Sequence, residues 1–455
     1  MKSINPATGE LVAEFDLHDD AEIERSLEAA AQAQQGWRRV PIEQRVQLLT
    51  AMAKDLRANS SHFARLITEE IGKPITESLA EIEKCAATCD FYAANAPHFL
   101  AEESIESNAT ESGVVFDPLG VVLAIMPWNY PFWQFYRFAA PALAAGNGAI
   151  LKHAGNVPRC ALAIEASMTN AGCPDGLMRS LLIAPSKVAG MIADDRIAAV
   201  TLTGSTQVGQ IVASQAGHAM KKQVLELGGS DPFIVLPDAD IATAAKVAVK
   251  ARFTNVGQSC VNAKRFIVHD AIADEFTEAF AAGIAALKIG DPMDPETQIG
   301  PMARMNLRAE LHDQVTRSIS DGAELALGGT PLDRPGSYYA PTLLDRVTPA
   351  HTSFREELFG PVASVIRCAS PEEAVALANN TEFGLGAAVW TTDMNLARRM
   401  AREIDAGAVF VNGMVASDAR LPFGGIKKSG YGRELGSYGI REFTNIKTVW
   451  IGPAK

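Results

Sequence analysis

The sequence lacks the features that mark membrane, secreted or nucleic-acid-binding proteins. Its first 20 residues, MKSINPATGELVAEFDLHDD, contain no apolar signal region, and no segment approaches the roughly 20 unbroken apolar residues of a membrane span. Positively charged residues are also fewer than negatively charged ones, with 41 Lys and Arg against 53 Asp and Glu. The resulting net charge of −12 opposes contact with nucleic-acid or lipid phosphates. We therefore expect a cytoplasmic protein with no nucleic-acid partner and no membrane association.

Cysteine is scarce and scattered. The six cysteines show no paired zinc-type spacing, so no metal site is predicted, and a chain of 455 residues does not need disulfide bonds. Cys85 and Cys89 lie four residues apart in a helical stretch, where one buried helix face explains them better than a metal pair does. Cys260 follows a Gly-Gln-Ser turn in NVGQSCVNAKR and is either a buried core thiol or a reactive one.

The chain contains no internal repeat and no low-complexity linker, so its two or three domains are expected to be interwoven. Apolar residues recur at helical spacing over roughly the first 100 residues. After about position 112, short β-branched runs such as GVVLAIMPW and GAILKHA alternate with helical segments. Strands that alternate with helices predict an α/β fold built on parallel sheets that are covered on both faces.

The segment AAVTLTGSTQVGQIVA has the order of a phosphate site, which is a strand, a glycine turn and a helix start near Gln207. Gly204 and Gly209 flank Ser205 in that turn. An ordinary capped strand-to-helix junction explains the same pattern equally well. Lys152, at the end of the strand GAILK, is suited to binding a ribose or phosphate, or is simply a solvated lysine.

Two further side chains have chemistry suited to catalysis. Glu226 lies among apolar residues in VLELGGSDPFIVL, where burial raises the pKa of a carboxyl group toward the range of a general base. A structural salt bridge is the alternative. Asn129 lies between two prolines in PWNYP, which makes its amide a candidate oxyanion donor or an ordinary turn residue.

Taken together, six motifs resemble the aldehyde dehydrogenase superfamily in order and approximate spacing: PWNYP, TGSTQVG, ELGGSDP, NVGQSC, EELFGPV and PFGGIKKSGYGREL. The resemblance covers nearly the whole chain. It implies a Rossmann-type cofactor domain (residues 1–99 and 119–228), an α/β catalytic domain (229–428) and a small β oligomerisation element (100–118 and 440–455). A homodimer or homotetramer is expected.

The resemblance also assigns the catalytic residues. Cys260 is expected to attack an aldehyde, and the oxyanion of the resulting thiohemiacetal is expected to bind the Asn129 amide and the Cys260 N–H. Hydride transfer to a nicotinamide would leave a thioester that water hydrolyses, with Glu226 as the base that activates the thiol, the water or both. A non-redox thiol esterase with the same residues, and a non-enzymatic binding protein, are the rival hypotheses.

The cofactor implied is NAD or NADP. The residues assigned to it are Trp128, Lys152, Gly204, Ser205, Gly209, Leu227, Glu357 and Phe359. Two positions depart from the family pattern. Gly155 replaces a glutamate that NAD-preferring relatives use on the ribose, so NADP use is open. Phe138 replaces a lysine implicated in proton relay, and Glu434 is a candidate substitute.

On the substrate side, Arg137 matches the position at which succinate-semialdehyde dehydrogenases carry a carboxylate-binding arginine, and a guanidinium fork suits a carboxylate. A surface or salt-bridged arginine is the alternative. Ser417 matches a serine that contacts the same carboxylate, Arg420 lies in the same loop, and the tunnel walls are assigned to Trp133, Phe132 and Phe423. The predicted substrate is therefore a carboxylated aldehyde, with succinate semialdehyde preferred over glutarate semialdehyde or a neutral aliphatic aldehyde.

Overall fold

A computed structural model describes residues 1–453. Within that range the strands are β1 (Lys2–Ile4), β2 (Leu11–Glu14), β3 (Glu103–Ser104), β4 (Glu111–Pro118), β5 (Val121–Met126), β6 (Gly148–His153), β7 (Met178–Ser180), β8 (Ile197–Thr203), β9 (Lys222–Glu226), β10 (Asp231–Val235), β11 (Ala263–His269), β12 (Glu324–Leu327), β13 (Thr342–Asp345), β14 (Val362–Cys368), β15 (Gly386–Trp390), β16 (Ala408–Val411), β17 (Gly430–Tyr431) and β18 (Thr444–Ile451).

Over the same residues the α-helices are α1 (Asp20–Trp37), α2 (Ile42–Ala58), α3 (Ser60–Ile71), α4 (Ile75–Phe99), α5 (Trp133–Ala145), α6 (Pro158–Asn170), α7 (Val188–Ala193), α8 (Thr206–His218), α9 (Ile241–Phe253), α10 (Ala273–Ala285), α11 (Met305–Ser320), α12 (Thr352–Arg355), α13 (Pro371–Asn379), α14 (Met394–Glu403) and α15 (Gly436–Glu442). Short 3-10 helices span Pro185–Lys187, Thr254–Gly257, Asp270–Ile272 and Lys427–Ser429. None of these helices is long and apolar enough to cross a membrane.

Several helices begin where a short polar side chain caps the first turn. The Asp19 carboxylate accepts a hydrogen bond from the Glu22 N–H (2.8 Å), and the Asp240 carboxylate accepts one from the Thr243 N–H (3.0 Å). Each bond satisfies a backbone donor that has no partner inside the helix. At α3 the chain leaves the helix through Gly72, whose left-handed backbone (φ 74°) suits glycine.

The first large sheet has the strand order β17-β9-β8-β5-β6-β7. All neighbours are parallel except β17, which runs antiparallel to β9. Every residue of β5 is buried, as expected for a parallel strand covered by helices on both faces. The strands β6 and β8 flank β5, so the segments that follow them lie at one edge of the sheet, where open α/β sheets bind ligands.

The second large sheet has the order β12-β13-β14-β11-β10-β15-β16, and only β12 is antiparallel to its neighbour. Its core includes the packed rings of Phe233, Phe266 and Trp390. The loop that carries Cys260 connects α9 to β11, the strand at the centre of this sheet. The nucleophile candidate is thus attached to the central strand of the second sheet.

A small third sheet, β18-β4-β3, joins two segments that are distant in sequence. Strand β18 pairs antiparallel with β4 over its whole length, from Thr444 opposite Pro118 to Ile451 opposite Glu111. The boundary predicted at residue 440 falls inside α15, which packs against α4 and α5. The division into three domains with these boundaries remains a prediction, whereas the α/β fold with two large sheets is observed.

Candidate active site

The loop before Cys260 has an unusual backbone. Asn255, Val256 and Gly257 have positive φ angles of 54°, 56° and 72°. The left-handed region suits glycine and tolerates asparagine, but for a β-branched valine it is strained. Such a conformation persists only where surrounding contacts hold it, so the loop depends on the rest of the fold for its shape.

Groups from two segments that are distant in sequence hold the loop in this conformation. The Asn255 N–H donates to the Glu77 carboxylate on α4 (2.7 Å), and the Asn255 amide donates to the carbonyls of Asn129 (2.8 Å) and Gln258 (3.1 Å). The Asn129 amide also donates to the Gln258 carbonyl (3.0 Å). An amide NH₂ has two donors. The Asn129 amide is therefore held against Gln258, which lies two residues before Cys260 in the chain. One N–H of the amide remains available for a ligand.

A buried lysine that was not identified from the sequence supports the same loop. Lys264 donates from Nζ to the carbonyl oxygens of Cys260 (2.7 Å) and Ser259 (2.8 Å), and Nζ lies 3.4 Å from the Glu357 carboxylate. Its sequence signal is a charged residue inside the buried strand AKRFIVH. The ammonium of this β11 residue thus holds the backbone on both sides of the Ser259–Cys260 peptide.

The thiol itself is partly exposed to the cavity described below. Burial raises the pKa of Cys260 to about 12, and the Lys264 ammonium and the Arg137 guanidinium oppose that rise. The thiol is therefore protonated at neutral pH. Nucleophilic attack requires a base to remove its proton.

Glu226, at the end of β9, is buried, and no Lys, Arg or His nitrogen within residues 1–453 lies within 4.0 Å of its carboxylate. Its Oε1 atom lies against Gly424, where an added Cβ would be 2.7 Å away. Burial raises the pKa of Glu226 well above its ordinary value, the Glu434 carboxylate raises it further, and Arg137 opposes both. The salt-bridge alternative is not observed, and the carboxyl group has the electrostatic setting of a general base.

Cys260 lines a cavity of about 330 Å³ between α4, α5 and the loop after β16. The predicted substrate residues Arg137, Trp133, Ser417 and Phe423 also line it. Phe132 does not, because its ring packs in the core against Phe63 (5.1 Å between ring centroids). The other lining residues are Glu77, Ala80, Glu81, Lys84, Tyr130, Gln134, Lys250, Ala251, Thr254, Ser259, Val261, Asn262, Met414, Val415 and Ala416.

Two arginines that the sequence placed near the substrate have other partners. Arg137 is buried and forms an ion pair with Glu434, and its Nη2 atom lies 3.3 Å from the Thr203 hydroxyl. Its guanidinium also lies 4.7 Å from the centre of the Phe423 ring. Arg420 is exposed and pairs with Asp418 (2.5 Å). Arg137 is thus both a cavity-lining residue and the salt-bridged arginine of the alternative interpretation.

Phe138 lies outside the cavity, where its ring packs edge-on against Phe443 at 5.3 Å. Glu434, the candidate substitute for the missing lysine, is held by Arg137 beside Glu226. Two charged residues of α4, Glu77 and Lys84, were missed by the sequence analysis. Their signal was the position of charged side chains next to the buried stripe of α4 that includes Ser78, Glu81 and Cys85.

The predicted phosphate turn has the geometry of a capped helix start. Ser205 precedes α8, which begins at Thr206, and its Oγ accepts from the Val208 N–H (3.4 Å). A Cβ on Gly209 would lie only 2.4 Å from Leu227 Cδ1, so α8 approaches the end of β9 as closely as glycine permits. Backbone N–H groups at such a helix start form an anion site.

The remaining predicted cofactor residues lie on several different segments of the fold. The rings of Trp128 and Phe359 meet edge-to-face at 5.7 Å, and Glu357 accepts from the Gly229 N–H (3.0 Å). Lys152 is the second-last residue of β6, which lies two strands from β8, the strand before the Ser205 turn. A Cβ on Gly155 would touch nothing within 4 Å. An open helix start, a lysine and free space at Gly155 fit a dinucleotide with or without a 2′-phosphate.

Comparison with known proteins gives the same family as the sequence motifs do. The profile of the aldehyde dehydrogenase family matches residues 1–449. A succinate semialdehyde dehydrogenase (NAD(P)+) named Sad, from Escherichia coli strain K12, is 50% identical over 448 residues, covering 98% of this chain and 97% of the relative. A succinate-semialdehyde dehydrogenase (NADP(+)) from Mycobacterium bovis is 48% identical over 452 residues, covering 99% of both chains.

Among solved structures, the succinic semialdehyde dehydrogenase of Streptococcus pyogenes, in complex with NADP+, superimposes with a TM-score of 0.97. The two chains are 37% identical, and the match covers 99% of this chain and 100% of that one. Fold and sequence therefore agree over essentially the whole length. This chain belongs to the aldehyde dehydrogenase family.

Proposed function

We propose that this enzyme oxidises succinate semialdehyde to succinate with NADP or NAD. The observation that carries the proposal is the cavity at Cys260, which has aromatic walls, is lined by the two cations Arg137 and Lys84, and places a serine hydroxyl against Lys84. Apolar walls suit the carbon chain of the substrate, and cations suit its carboxylate. Relatives that are about half identical and carry this name support the same substrate.

In the proposed reaction Cys260 Sγ attacks the aldehyde carbon after its proton passes to a base, for which Glu226 is the candidate. The free N–H of the Asn129 amide and the Cys260 backbone N–H then bind the oxyanion of the thiohemiacetal. The nicotinamide supplies a hydride acceptor when the cofactor is bound. After it releases the thiol proton to solvent, Glu226 would take a proton from the water that hydrolyses the thioester, and that proton would then pass to the departing Cys260 sulfur, which releases the acid product and restores the thiol.

The cofactor would be held by the residues assigned from the sequence, with its phosphates at the start of α8 and its adenosine side near Trp128 and Lys152. The open space at Gly155 and the absence of a carboxylate there support NADP use, since a carboxylate would repel a 2′-phosphate. The relatives described with NADP support the same preference.

We also propose a cytoplasmic homodimer or homotetramer. The support is β18, an edge strand with exposed Ile446, Trp450 and Ile451, because an exposed apolar edge strand is a pairing surface. Light scattering after gel filtration measures the assembly. A monomer at micromolar concentration would contradict this part of the proposal.

The deciding experiment follows reduced nicotinamide by its absorbance, with succinate semialdehyde and with butanal, a neutral aldehyde of the same length. Each aldehyde is tested with NAD and with NADP. A kcat/KM for succinate semialdehyde at least tenfold above that for butanal is expected. A preference for butanal would overturn the substrate proposal, and cofactor-independent ester hydrolysis without aldehyde oxidation would favour a thiol esterase.

A further inference from the structure

Lys84 occupies a position in the active-site cavity that the sequence did not point to. It lies on α4, and its ammonium is largely shielded from solvent by the neighbouring helix α5 and the loop after β16. Its Nζ donates to Ser417 Oγ at 2.6 Å and lies 4.3 Å from the centre of the Trp133 ring. The ammonium therefore faces the same cavity as Cys260.

Lys84 and Arg137 are two cations of this cavity wall, and within residues 1–453 only the second of them has a carboxylate partner. Arg137 pairs with Glu434, and the neighbouring Lys73 pairs with Glu81. In the described part of the chain, no carboxylate oxygen lies within 4.0 Å of Lys84 Nζ. A buried ammonium without a counter-ion is costly, and a bound carboxylate would remove that cost.

The hydrogen bonds around Lys84 also suit a carboxylate. Because Ser417 Oγ accepts from the Lys84 ammonium, the Ser417 hydroxyl proton remains free to donate to a ligand. The other two N–H groups of the ammonium are available as well. Arg137 is less free, since its guanidinium is engaged by Glu434 and Thr203.

We propose that Lys84 is a second cation of carboxylate recognition in this cavity and binds the substrate carboxylate together with Ser417, while Arg137 also fixes Glu434 and the cavity wall. This inference rests on the proposed function, because it names the side chains that recognise the carboxylated aldehyde. It adds a recognition charge on α4 to the charge that Arg137 supplies on α5.

The pH dependence of succinate semialdehyde binding provides a second test of the proposal. Burial lowers the pKa of Lys84 to about 8, and the Arg137 guanidinium lowers it further, against the opposing effects of Cys85, Glu81 and Asp418. These groups lie on α4, on α5 and in the loop after β16, the elements packed around the ammonium. The free enzyme therefore loses this cation as the pH rises through about 8. KM for succinate semialdehyde is expected to rise between pH 7 and 9.5, while KM for butanal stays level.

The test compares Lys84→Met, Lys84→Arg and Ser417→Ala with wild type on both aldehydes. Lys84→Met is expected to raise KM for succinate semialdehyde about 30-fold or more, the size expected when one partner of a buried charge pair is removed. Its kcat, and its kcat/KM for butanal, should stay within threefold. Lys84→Arg should recover part of the affinity, and Ser417→Ala should raise the same KM about tenfold. Lys246→Met, which removes an exposed lysine of α9, is the control for net charge.

Wild-type KM values for Lys84→Met would overturn the inference while the proposed function stands. Equal losses on both aldehydes would show a structural role and overturn it too. If Lys84→Met does not fold, the test rests on the wild-type pH profile and on Ser417→Ala. The inference is overturned if KM for succinate semialdehyde changes neither with pH nor in Ser417→Ala. Wild-type enzyme that prefers butanal would instead reject the proposed function itself.

Discussion

The loop that carries Cys260 and the turn that carries Ser205 are stabilised in different ways. The Cys260 loop has three successive positive φ angles, and its shape depends on Glu77 and Asn129, which lie more than a hundred residues earlier in the chain. The Ser205 turn has an ordinary backbone (φ −71°, ψ 153°) and is capped by its own hydroxyl. The Cys260 loop is thus stabilised by long-range contacts, and the Ser205 turn by local ones.

This difference follows from what each segment binds. Transition-state stabilisation requires donors fixed in advance at the position where charge develops, and distant side chains can fix them. A phosphate needs only exposed N–H groups at a helix start, which a local turn supplies. We therefore expect changes in the Cys260 loop to act on kcat and changes in the Ser205 turn to act on cofactor affinity.

The largest effect is expected for Cys260→Ala. Removal of the nucleophile should lower kcat by more than about 10³-fold, because residual binding cannot replace the covalent step. The Kd of the cofactor, measured by fluorescence titration, should stay within twofold of wild type. A variant that keeps even a tenth of wild-type dehydrogenase activity would contradict the assignment of the nucleophile.

Asn129→Ala should rank second, with kcat lowered about 10²- to 10³-fold, the usual cost of one oxyanion donor. Steady-state kinetics and the thermal unfolding midpoint should be measured together, since Asn129 also contacts Gln258. The oxyanion role would fail if kcat followed stability alone, for instance if activity recovered fully at low temperature.

Gly155→Glu tests the cofactor side. A carboxylate in this open space should repel a 2′-phosphate and lower kcat/KM for NADP about 10- to 100-fold, while the value for NAD changes by less than about threefold. Gly155→Ala is the matched control, because its methyl group meets no atom within 4 Å. Equal losses with both cofactors would place the 2′-phosphate elsewhere.

Gly209→Ala should have a smaller effect. The new Cβ would lie 2.4 Å from Leu227 Cδ1, so Leu227 or α8 must shift, and KM for the cofactor should rise about tenfold with little change in kcat. The double variant Gly209→Ala/Leu227→Ala relieves the clash and should return KM toward that of Leu227→Ala alone. No recovery in the double variant would mean that the close approach at Gly209 does not shape the cofactor site.

Glu77→Gln should change activity least, by less than about threefold, because the amide oxygen still accepts from the Asn255 N–H. Its effect should appear in stability. Burial raises the pKa of Glu77 to about 7, so the folded state binds its proton more tightly than the unfolded state does. Wild type should lose stability relative to Glu77→Gln as the pH rises from 4.5 to above 7.

Urea unfolding at pH 5 and pH 8 measures this change, with the exposed Glu275→Gln on α10 as the control. A difference between wild type and Glu77→Gln that does not depend on pH would contradict the raised pKa of the carboxyl group.

The sequence predicted the family and the α/β fold correctly, because both rest on contiguous patterns. Buried β-branched runs marked the parallel strands, and the helix start near Gln207 was one residue from Thr206. Cys260, Glu226 and the Ser205 turn were identified by their immediate neighbours in sequence. Their catalytic and binding roles remain predictions.

What the sequence did not reveal depends on contacts across long separations. Lys84 meets Ser417 across 333 positions, and its place next to the buried stripe of α4 does not by itself show that it faces the active-site cavity. Likewise, Arg137 was identified as a cation at the right position, but its ion pair with Glu434 depends on how α5 meets the segment before α15. Charge balance inside a cavity is a property of the assembled fold.

The dependence of the Cys260 loop on Glu77 and Asn129 has a consequence for biosynthesis. Both partners are translated well before the loop, and domains begin to fold while the chain is still being made. The nucleophile therefore reaches its working geometry only when the loop meets α4 and the segment after β5, while β17 and β18 still have to join the sheets of that earlier half. Two fragments of the chain divided between Asn129 and Asn255 would regain activity only by reassembling.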